Sequence, residues 1–215
     1  NVVSGFRRNI DGLSSDTAIV HNNISENGIE RGITINALTG MRNNIIAKNE
    51  IGLVYPTVTS SDYNLYWQNN TNTTDQLAEH DIVADPMIVN DTIPVYGGTY
   101  DYHLQKYSPA IDAGDPNILD VDGSRSDIGI FGGPYGQMYT YQDLAPKPPS
   151  NLTASMDSGL VHLKWNKNTE ADFFRYRVYR DTVPDFIYDT TKIIAVLSDT
   201  TFYDDPPQKF ISGNY

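Results

Sequence analysis

The 215-residue sequence contains no cysteine, which excludes a disulfide framework and any thiolate metal site or thiol nucleophile. It is also poor in basic residues, with 15 Lys and Arg against 27 Asp and Glu and a formal net charge of −12. We therefore expect no nucleic-acid partner, because such a chain offers phosphate groups no basic surface. No run of about 18 apolar residues is present, so no membrane span is predicted. The first residues lack the features of a signal peptide, and if the protein is exported, we expect its signal to lie upstream of this sequence.

The N-terminal half carries a repeat marked by asparagine. Each unit has an Asn followed by an aliphatic residue, and successive units are spaced by 22, 21 and 20 residues. The marker residues are Asn1, Asn23, Asn44 and Asn64. A glycine followed by an aliphatic residue recurs in successive units at Gly12, Gly32 and Gly52, ahead of short alternating segments. This pattern predicts very short strands joined by turns, since a helix would need longer apolar stripes.

A repeat of about 21 residues built from short strands has two main solutions, the leucine-rich horseshoe and the parallel β-helix. The Leu-x-x-Leu-x-Leu pattern of the horseshoe is missing. Stacked Asn side chains at a turn can hydrogen-bond along the stack and tolerate left-handed backbone angles, which favours the β-helix. The units NNISENGIERGITI and NNIIAKNEIGLVY thus resemble rungs of the right-handed parallel β-helix of the pectin-lyase-like superfamily, and SDYNLYWQNN resembles a last rung.

A closing segment is predicted after these rungs. Its motifs are DPM from Asp85, YHL from Tyr102, SPAIDAG from Ser108 and SDIGIFGG from Ser126. This combination resembles the C-terminal closing segment of bacterial surface and secreted β-helix proteins, which implies an extracellular or cell-surface location. An open β-helix end exposes strand edges and an apolar core, so we expect the segment to cap that end. The predicted β-helix domain, including this segment, covers residues 1–137.

A linker at residues 138–150 precedes a second predicted domain at residues 151–215. The linker ends in the stiff, extended stretch APKPPS. Short alternating segments follow. Trp165 is on the second predicted strand, and the motif YRVYR, which begins at Tyr176, is on the third. The pattern resembles a fibronectin type III domain, but Gly213–Tyr215 would only begin the penultimate strand of that sandwich. The predicted fold is therefore all-β, with β-helix rungs, a closing segment and an incomplete immunoglobulin-like sandwich.

The acidic loop after Gly114 is a candidate calcium site. Oxygen-bearing side chains alternate around Gly123, which allows a sharp turn, and hard oxygen ligands in flexible geometry suit Ca²⁺. The candidate ligands are Asp120, Asp122, Ser124 and Asp127. The loop lacks the full twelve-residue pattern and its bidentate Glu, and Arg125 could pair with one of the carboxylates. A structural loop rich in Asx turns is the alternative interpretation.

Aromatic and amide side chains occur together in the last predicted rung. Rings can stack on sugars while amides bond sugar hydroxyls, so this set is a candidate carbohydrate-binding site. Its residues are Tyr66, Trp67, Gln68 and Asn69. Alternation along a strand puts neighbouring residues on opposite faces, and one of those faces must be core. Part of the set is therefore expected to be structural.

No catalytic set is predicted within this chain. In pectin-lyase-like enzymes, catalysis uses an Arg or Lys base with Ca²⁺, or paired carboxylates, and the charged residues here are scattered over turns. The candidates considered are Arg7, Arg8, Asp11, Asp16, Glu26, Glu30, Arg31, Lys48 and Glu50. We expect a non-catalytic surface scaffold or adhesion fragment that interacts with polysaccharide. The alternatives are part of a polysaccharide lyase or glycoside hydrolase, and a structural subunit that self-assembles through exposed strand edges and strand donation.

Overall fold

The computed structural model describes residues 1–13, 18–35, 39–54, 61–92, 99–158, 160–198 and 202–205. It divides the chain into two compact units, Asn1–Leu144 and Ala145–Tyr215. Both units are built from strands, and the described helical structure is one short 3-10 turn at Thr190–Lys192. The predicted all-β fold is confirmed. The last predicted sandwich segment, Gly213–Tyr215, lies outside the described residues.

The first unit is a parallel β-solenoid of about three turns, which confirms the predicted β-helix. Its strands in chain order are β1 Val2–Ser4, β2 Arg8–Leu13, β3 Ala18–His21, β4 Ile24–Glu26, β5 Arg31–Ile35, β6 Thr39–Arg42, β7 Ile45–Ala47, β8 Ile51–Val54, β9 Ser61–Asp62, β10 Leu65–Trp67, β11 Thr71–Thr73 and β12 Ile82–Val83. Every pairing among them is parallel, and each strand pairs mainly with the strand one turn away. Three parallel sheets result.

Sheet A contains β1, β4, β7, β10 and β12, in that order. Sheet B contains β2, β5, β8 and β11, and sheet C contains β3, β6 and β9. The register places equivalent repeat positions directly above one another, as in Ile24, Ile45 and Leu65 of sheet A. The periodic sequence therefore becomes a set of columns in which like residues stack.

Sheet A carries apolar side chains on both faces. Ile46 and Tyr66 pack inside the solenoid with Ile33 and Leu53 of sheet B and Met41 of sheet C. The alternate positions of sheet A form a second core on the opposite face. Its buried members are Ile24, Ile45, Ala47, Leu65, Ile88, Leu104, Ala110 and Ile128. A strand buried on both faces reads as a continuous apolar run, which explains the segments IIA and LYW.

The closing segment covers this outer face of sheet A. It begins with two antiparallel strands, β13 Ile88–Asn90 and β14 Asp101–Leu104, and continues through turns. Gly129 N donates to the carbonyl of Asn43 at 2.9 Å, and Asn22 Nδ2 donates to the carbonyl of Asp127 at 3.0 Å. The sequence predicted a cap on the open end, but the segment packs laterally. The physical reason is that the outward-facing apolar column of sheet A must also be removed from water.

The second unit contains two small antiparallel sheets. Its strands are β15 Thr153–Asp157, β16 Leu160–Lys164, β17 Tyr176–Tyr179, β18 Ile193–Leu197 and β19 Phe202–Asp205. One sheet has the order β15-β16-β19, and the other pairs β17 with β18. Trp165 and Tyr176 are the buried apolar residues among those described in this unit, and their rings meet edge to face at 5.2 Å. The fibronectin type III assignment goes beyond these sheets and stays a prediction.

Candidate functional site

A ladder of asparagines precedes the strands of sheet A. Nδ2 of Asn23 donates to Oδ1 of Asn44 at 3.1 Å, and Nδ2 of Asn44 donates to Oδ1 of Asn64 at 2.9 Å. The same oxygens accept the backbone N–H of the residue one rung away, at 3.1 Å in both rungs. Asp81 ends the ladder, because its carboxylate accepts the N–H of Asn64 at 2.9 Å. The stacking predicted from the repeat is thus present and buried.

A second ladder follows sheet A. Oδ1 of Asn49 accepts the N–H of Gly28 at 2.8 Å, and Nδ2 of Asn49 donates to Oδ1 of Asn69 at 2.9 Å. Asn69 in turn donates to the carbonyl of Ile46 at 2.8 Å. Sequence reasoning missed this ladder, although Asn49 and Asn69 are 20 residues apart and repeat in register. Asn69 therefore has a structural role in addition to the predicted contact with sugar.

Residues with left-handed backbone angles flank both ladders. Asn22, Asn43 and Tyr63 occupy the turn before sheet A, with φ of 52°, 60° and 57°. Asn27, Lys48 and Gln68 occupy the turn after it, with φ of 54°, 56° and 50°. Asn adopts this conformation readily, whereas a bulky residue such as Tyr63 rarely does. The same backbone conformation thus recurs at matching positions of successive rungs, and at the turn before sheet A the side chains of Asn22 and Asn43 bond to the closing segment.

The predicted carbohydrate-binding residues do not share one surface. Tyr66 is 1 % exposed and lies in the interior core, so its ring is not available to a ligand in this structure. Trp67 is half-buried and packs against the outer core, while Gln68 is exposed. Alternation within β10 separates Tyr66 from Trp67 because both faces of sheet A are covered. Trp67 and Gln68 remain the accessible pair, and their contact with carbohydrate stays a prediction.

Asp120 and Asp127, two of the predicted calcium ligands, lie close together. Their carboxylate oxygens accept hydrogen bonds from other groups of the protein. Asp120 accepts the N–H of Gly133 through Oδ1 at 2.5 Å and that of Asp127 through Oδ2 at 3.0 Å. Asp127 accepts the N–H of Asp112 through Oδ1 at 2.9 Å and the hydroxyl of Tyr141 through Oδ2 at 2.8 Å. These bonds hold the closing segment together.

The other two predicted calcium ligands form an Asx turn. Oδ1 of Asp122 accepts the N–H and the hydroxyl of Ser124 at 2.9 and 2.6 Å. Among the residues that the structure describes, no three His, Asp or Glu side chains are arranged to hold a metal ion. The donor set in this conformation therefore does not fit Ca²⁺. The calcium site stays a prediction, against which these hydrogen bonds argue.

A small recess of about 70 Å³ lies beside this acidic pair. Its walls include Phe131, Tyr139 and Tyr141 as well as the two carboxylates. Burial raises the pKa of Asp120 and of Asp127, and it also raises the pKa of Tyr139 and Tyr141 well above the ordinary phenol value. Sequence reasoning did not bring the two tyrosines to this loop, because the linker from Met138 onward had no predicted partner.

Glu26 is a buried carboxyl group. From the sequence it was named only as one of several scattered charged residues. It lies on the outer face of sheet A and is 1 % exposed. Its Oε1 accepts the hydroxyl of Tyr102 at 2.6 Å, while its Oε2 is buried and has no hydrogen-bond partner. Burial raises the pKa of Glu26, and the hydrogen bond from Tyr102 partly opposes that shift. The sequence feature that could have predicted this burial is the strand alternation. Glu26 follows Ile24 by two residues, so the two side chains lie on the same outward face of sheet A.

A stacked pair of rings, the half-buried Tyr63 and the exposed His80, lies at the turn before β10. The rings of Tyr63 and His80 stack at 4.4 Å with an interplanar angle of 6°. His80 Nδ1 lies 2.8 Å from Oδ2 of Asp62, and the guanidinium of Arg125 lies 5.6 Å from the Tyr63 ring centre. No sequence pattern predicts this pair, because Tyr63 and His80 belong to different segments.

Several of the remaining charged candidates form ion pairs, some exposed and one half-buried. Arg7 pairs with Glu30, and Arg8 pairs with Asp11 at 2.9 Å. Lys48 Nζ lies 2.7 Å from Oδ2 of Asp91 in the closing segment. Asp16 lies outside the described residues. The charged groups described here therefore serve contacts within the protein.

No protein-family model, curated protein or solved structure matches this chain. Among the described residues, no helix is long and apolar enough to cross a membrane.

Proposed function

We propose that this chain is a rigid, non-catalytic scaffold of a secreted or cell-surface protein, similar to pectin-lyase-like β-helices, that contacts polysaccharide along its side. The observation that carries the proposal is the use of buried polar groups for rigidity. Asn44 and Asn49, both at most 2 % exposed, each bond to side chains and backbone in neighbouring rungs. A polar network that is fully satisfied fixes one arrangement and resists local opening.

The turn after sheet A offers a periodic surface for a polymer. Asn27, Lys48 and Gln68 lie at matching positions in successive rungs, which are spaced by about 4.8 Å in a parallel sheet. Trp67 precedes Gln68 and exposes part of its ring. Lys48 is paired with Asp91, so the groups available to a ligand are the ring of Trp67 and the amides, which suit a chain of sugar rings with hydroxyl substituents.

The test is incubation of the protein with a panel of insoluble polyuronates and neutral polysaccharides. Two quantities are recorded, the depletion of protein from solution and the release of reducing or unsaturated ends. We expect depletion without release. Release of ends would favour the alternative that the chain belongs to a lyase or hydrolase, and the absence of both would leave a scaffold that does not contact these glycans.

Matched variants locate the contact. Gln68→Gly tolerates the left-handed backbone angle and removes the whole side chain with its amide, and Trp67→Leu keeps an apolar side chain but removes the ring. Each is expected to weaken depletion about tenfold, the effect of losing about 1.4 kcal/mol of contact. Tyr135→Ala is the control, because Tyr135 is 99 % exposed and lies in the closing segment. Equal losses in all three variants would place the contact elsewhere.

A further inference from the structure

The second unit contains an open apolar groove of about 360 Å³. Its lining includes Leu163, Trp165, Phe186 and Tyr188. All residues of β17, from Tyr176 to Tyr179, also line it. Neighbouring residues of a strand point to opposite faces. The lining by every residue of β17 therefore indicates that the edge of this strand, rather than one face, borders the groove.

That edge has no strand partner within the described part of the chain. β17 pairs with β18 along its other edge, and these two strands form a sheet of their own. An unpaired edge presents N–H and C=O groups that can pair with another extended segment. The groove thus combines an apolar floor with a backbone template, which is the arrangement used for strand addition.

Trp165 supplies an independent observation. The residue is 5 % exposed, and its indole Nε1 is buried without a hydrogen-bond partner. A buried unsatisfied donor costs about 1–3 kcal/mol. Trp165 also lines the groove, and a backbone carbonyl brought to this hydrogen would satisfy it, whereas an apolar small molecule would not. The occupant that the site suits is therefore one that brings backbone acceptors together with apolar side chains.

The charged residues around the groove indicate which charge the ends of a bound segment should carry. Arg177 lies on β17, is exposed and forms no ion pair with a described residue. Lys147 and Arg175 line the adjoining surface, with Asp172 as the carboxylate among them. This local excess of positive charge contrasts with the formal charge of −12 on the whole chain. Acidic residues at the ends of a bound segment would complement it.

We infer that this groove binds an extended strand from another polypeptide, with apolar side chains at alternate positions and acidic residues at its ends. The strand adds to the free edge of β17, its apolar side chains fill the groove beside Leu163 and Tyr188, and one of its carbonyls accepts the indole hydrogen of Trp165. This inference is independent of the contact with polysaccharide, which involves the first unit alone.

The probe is a synthetic peptide of alternating valine and threonine with glutamates at both ends. Trp67→Phe leaves Trp165 as the single tryptophan of the chain, so its fluorescence reports on the groove directly. We expect saturable binding with a shift of the emission to shorter wavelength. The control peptide replaces alternate residues with proline, which removes backbone donors, and it is expected not to bind. No binding of the first peptide, or equal binding of both, would overturn the inference.

Two variants, measured by calorimetry, distinguish strand addition from non-specific binding. Trp165→Phe keeps an aromatic wall but removes the indole donor, and it should weaken binding about fivefold to tenfold. Arg177→Gln, at an exposed position, should weaken binding about threefold at low salt and reduce its salt dependence. Unchanged affinity in both variants would contradict the assigned contacts.

Two measurements on the free protein test for other occupants. Hydrogen exchange of the amides of Arg177–Tyr179 should include rapidly exchanging positions. Protection of all of them would mean that this chain already covers the edge, and would overturn the inference. Native mass measurement should show no dimer that peptide dissociates. Such a dimer would identify a second copy as the occupant instead.

Discussion

The hydroxyl of Tyr102 in the closing segment donates a 2.6 Å hydrogen bond to Oε1 of Glu26, whose Oε2 is buried without a partner. The contact joins residues 76 positions apart, so the carboxyl group of a solenoid strand is sealed by the segment that covers it. Its ionisation therefore affects how firmly that segment is held.

Glu26 should make stability depend on pH. Burial raises its pKa above the 4.5 of an ordinary Glu, so the folded state holds more protons than the unfolded state between these two values. The contribution of Glu26 to the free energy of unfolding is fully present below pH 4.5 and falls as the pH rises through the folded pKa. We expect Glu26→Gln to gain stability relative to the wild type over this window, as measured by urea unfolding at several pH values. A difference that is constant with pH would contradict this assignment.

Tyr102→Phe tests the same contact from the other side. It leaves both oxygens of the buried carboxyl group without a donor, which should cost about 1–3 kcal/mol. The double variant with Glu26→Gln should lose less than the sum of the single changes, because the two side chains form one contact.

The asparagine ladder should be far more sensitive than the surface amides. Asn44 is fully buried, and Asn44→Ala removes the acceptor of the Asn23 N–H together with three donated hydrogen bonds. We expect a loss of about 3 kcal/mol or more, since several buried groups lose their partners. Asn70→Ala is the matched control, because Asn70 is exposed and its Nδ2 donates to Glu50, and it should change stability by less than about 0.5 kcal/mol. Similar losses in thermal unfolding would refute a special role for the ladder.

Gly52→Ala should be destabilising for a steric reason. A Cβ at this position would lie 2.6 Å from the carbonyl oxygen of Asn72 in the neighbouring rung. Gly123→Ala provides the comparison, since its φ is +89° and no atom lies within 4 Å of the added Cβ. That change should cost about 1 kcal/mol from backbone conformation alone. We expect Gly52→Ala to cost clearly more in denaturant midpoint, and the reverse order would be inconsistent with the packing of the rungs.

The hydrogen bonds of the acidic loop make a prediction about calcium. If both oxygens of Asp120 and Asp127 remain bound by protein donors, millimolar Ca²⁺ and chelator should give the same melting temperature. A ligand that binds only the folded state would raise it. Asp122→Ala should have a small effect, while Asp120→Ala should destabilise the closing segment in either buffer. A melting temperature that rises with Ca²⁺ and no longer does so in Asp122→Ala would establish the site predicted from the sequence.

The repeat made the solenoid predictable because the ladder residues themselves recur. Asn23, Asn44 and Asn64 report their stacking through identity and spacing, and their hydrogen bonds follow from that register. The lateral position of the closing segment was less accessible. Ile45 and Ile46 are both buried, and a continuous run of this kind indicates coverage on two faces without identifying what covers the second.

The candidate sites show the same limit. Residue types placed Asp120, Asp122 and Asp127 near one another, but the N–H of Gly133 that occupies Asp120 cannot be inferred from composition. Alternation correctly implied that Tyr66 and Trp67 face opposite ways. It could not show that Tyr66 faces the interior, because both faces of sheet A are apolar.

The bond between Asn22 and Asp127 spans 105 residues of chain. During synthesis the rungs emerge first, and the column Ile24, Ile45 and Leu65 has no cover until the segment ending near Gly133 has followed. Contacts of such long range form late, since loop closure must precede them. A nascent solenoid therefore passes through an interval in which one apolar flank is exposed and prone to aggregation. The yield of native protein then depends on how soon the closing segment covers that flank, as well as on the stability of the finished fold.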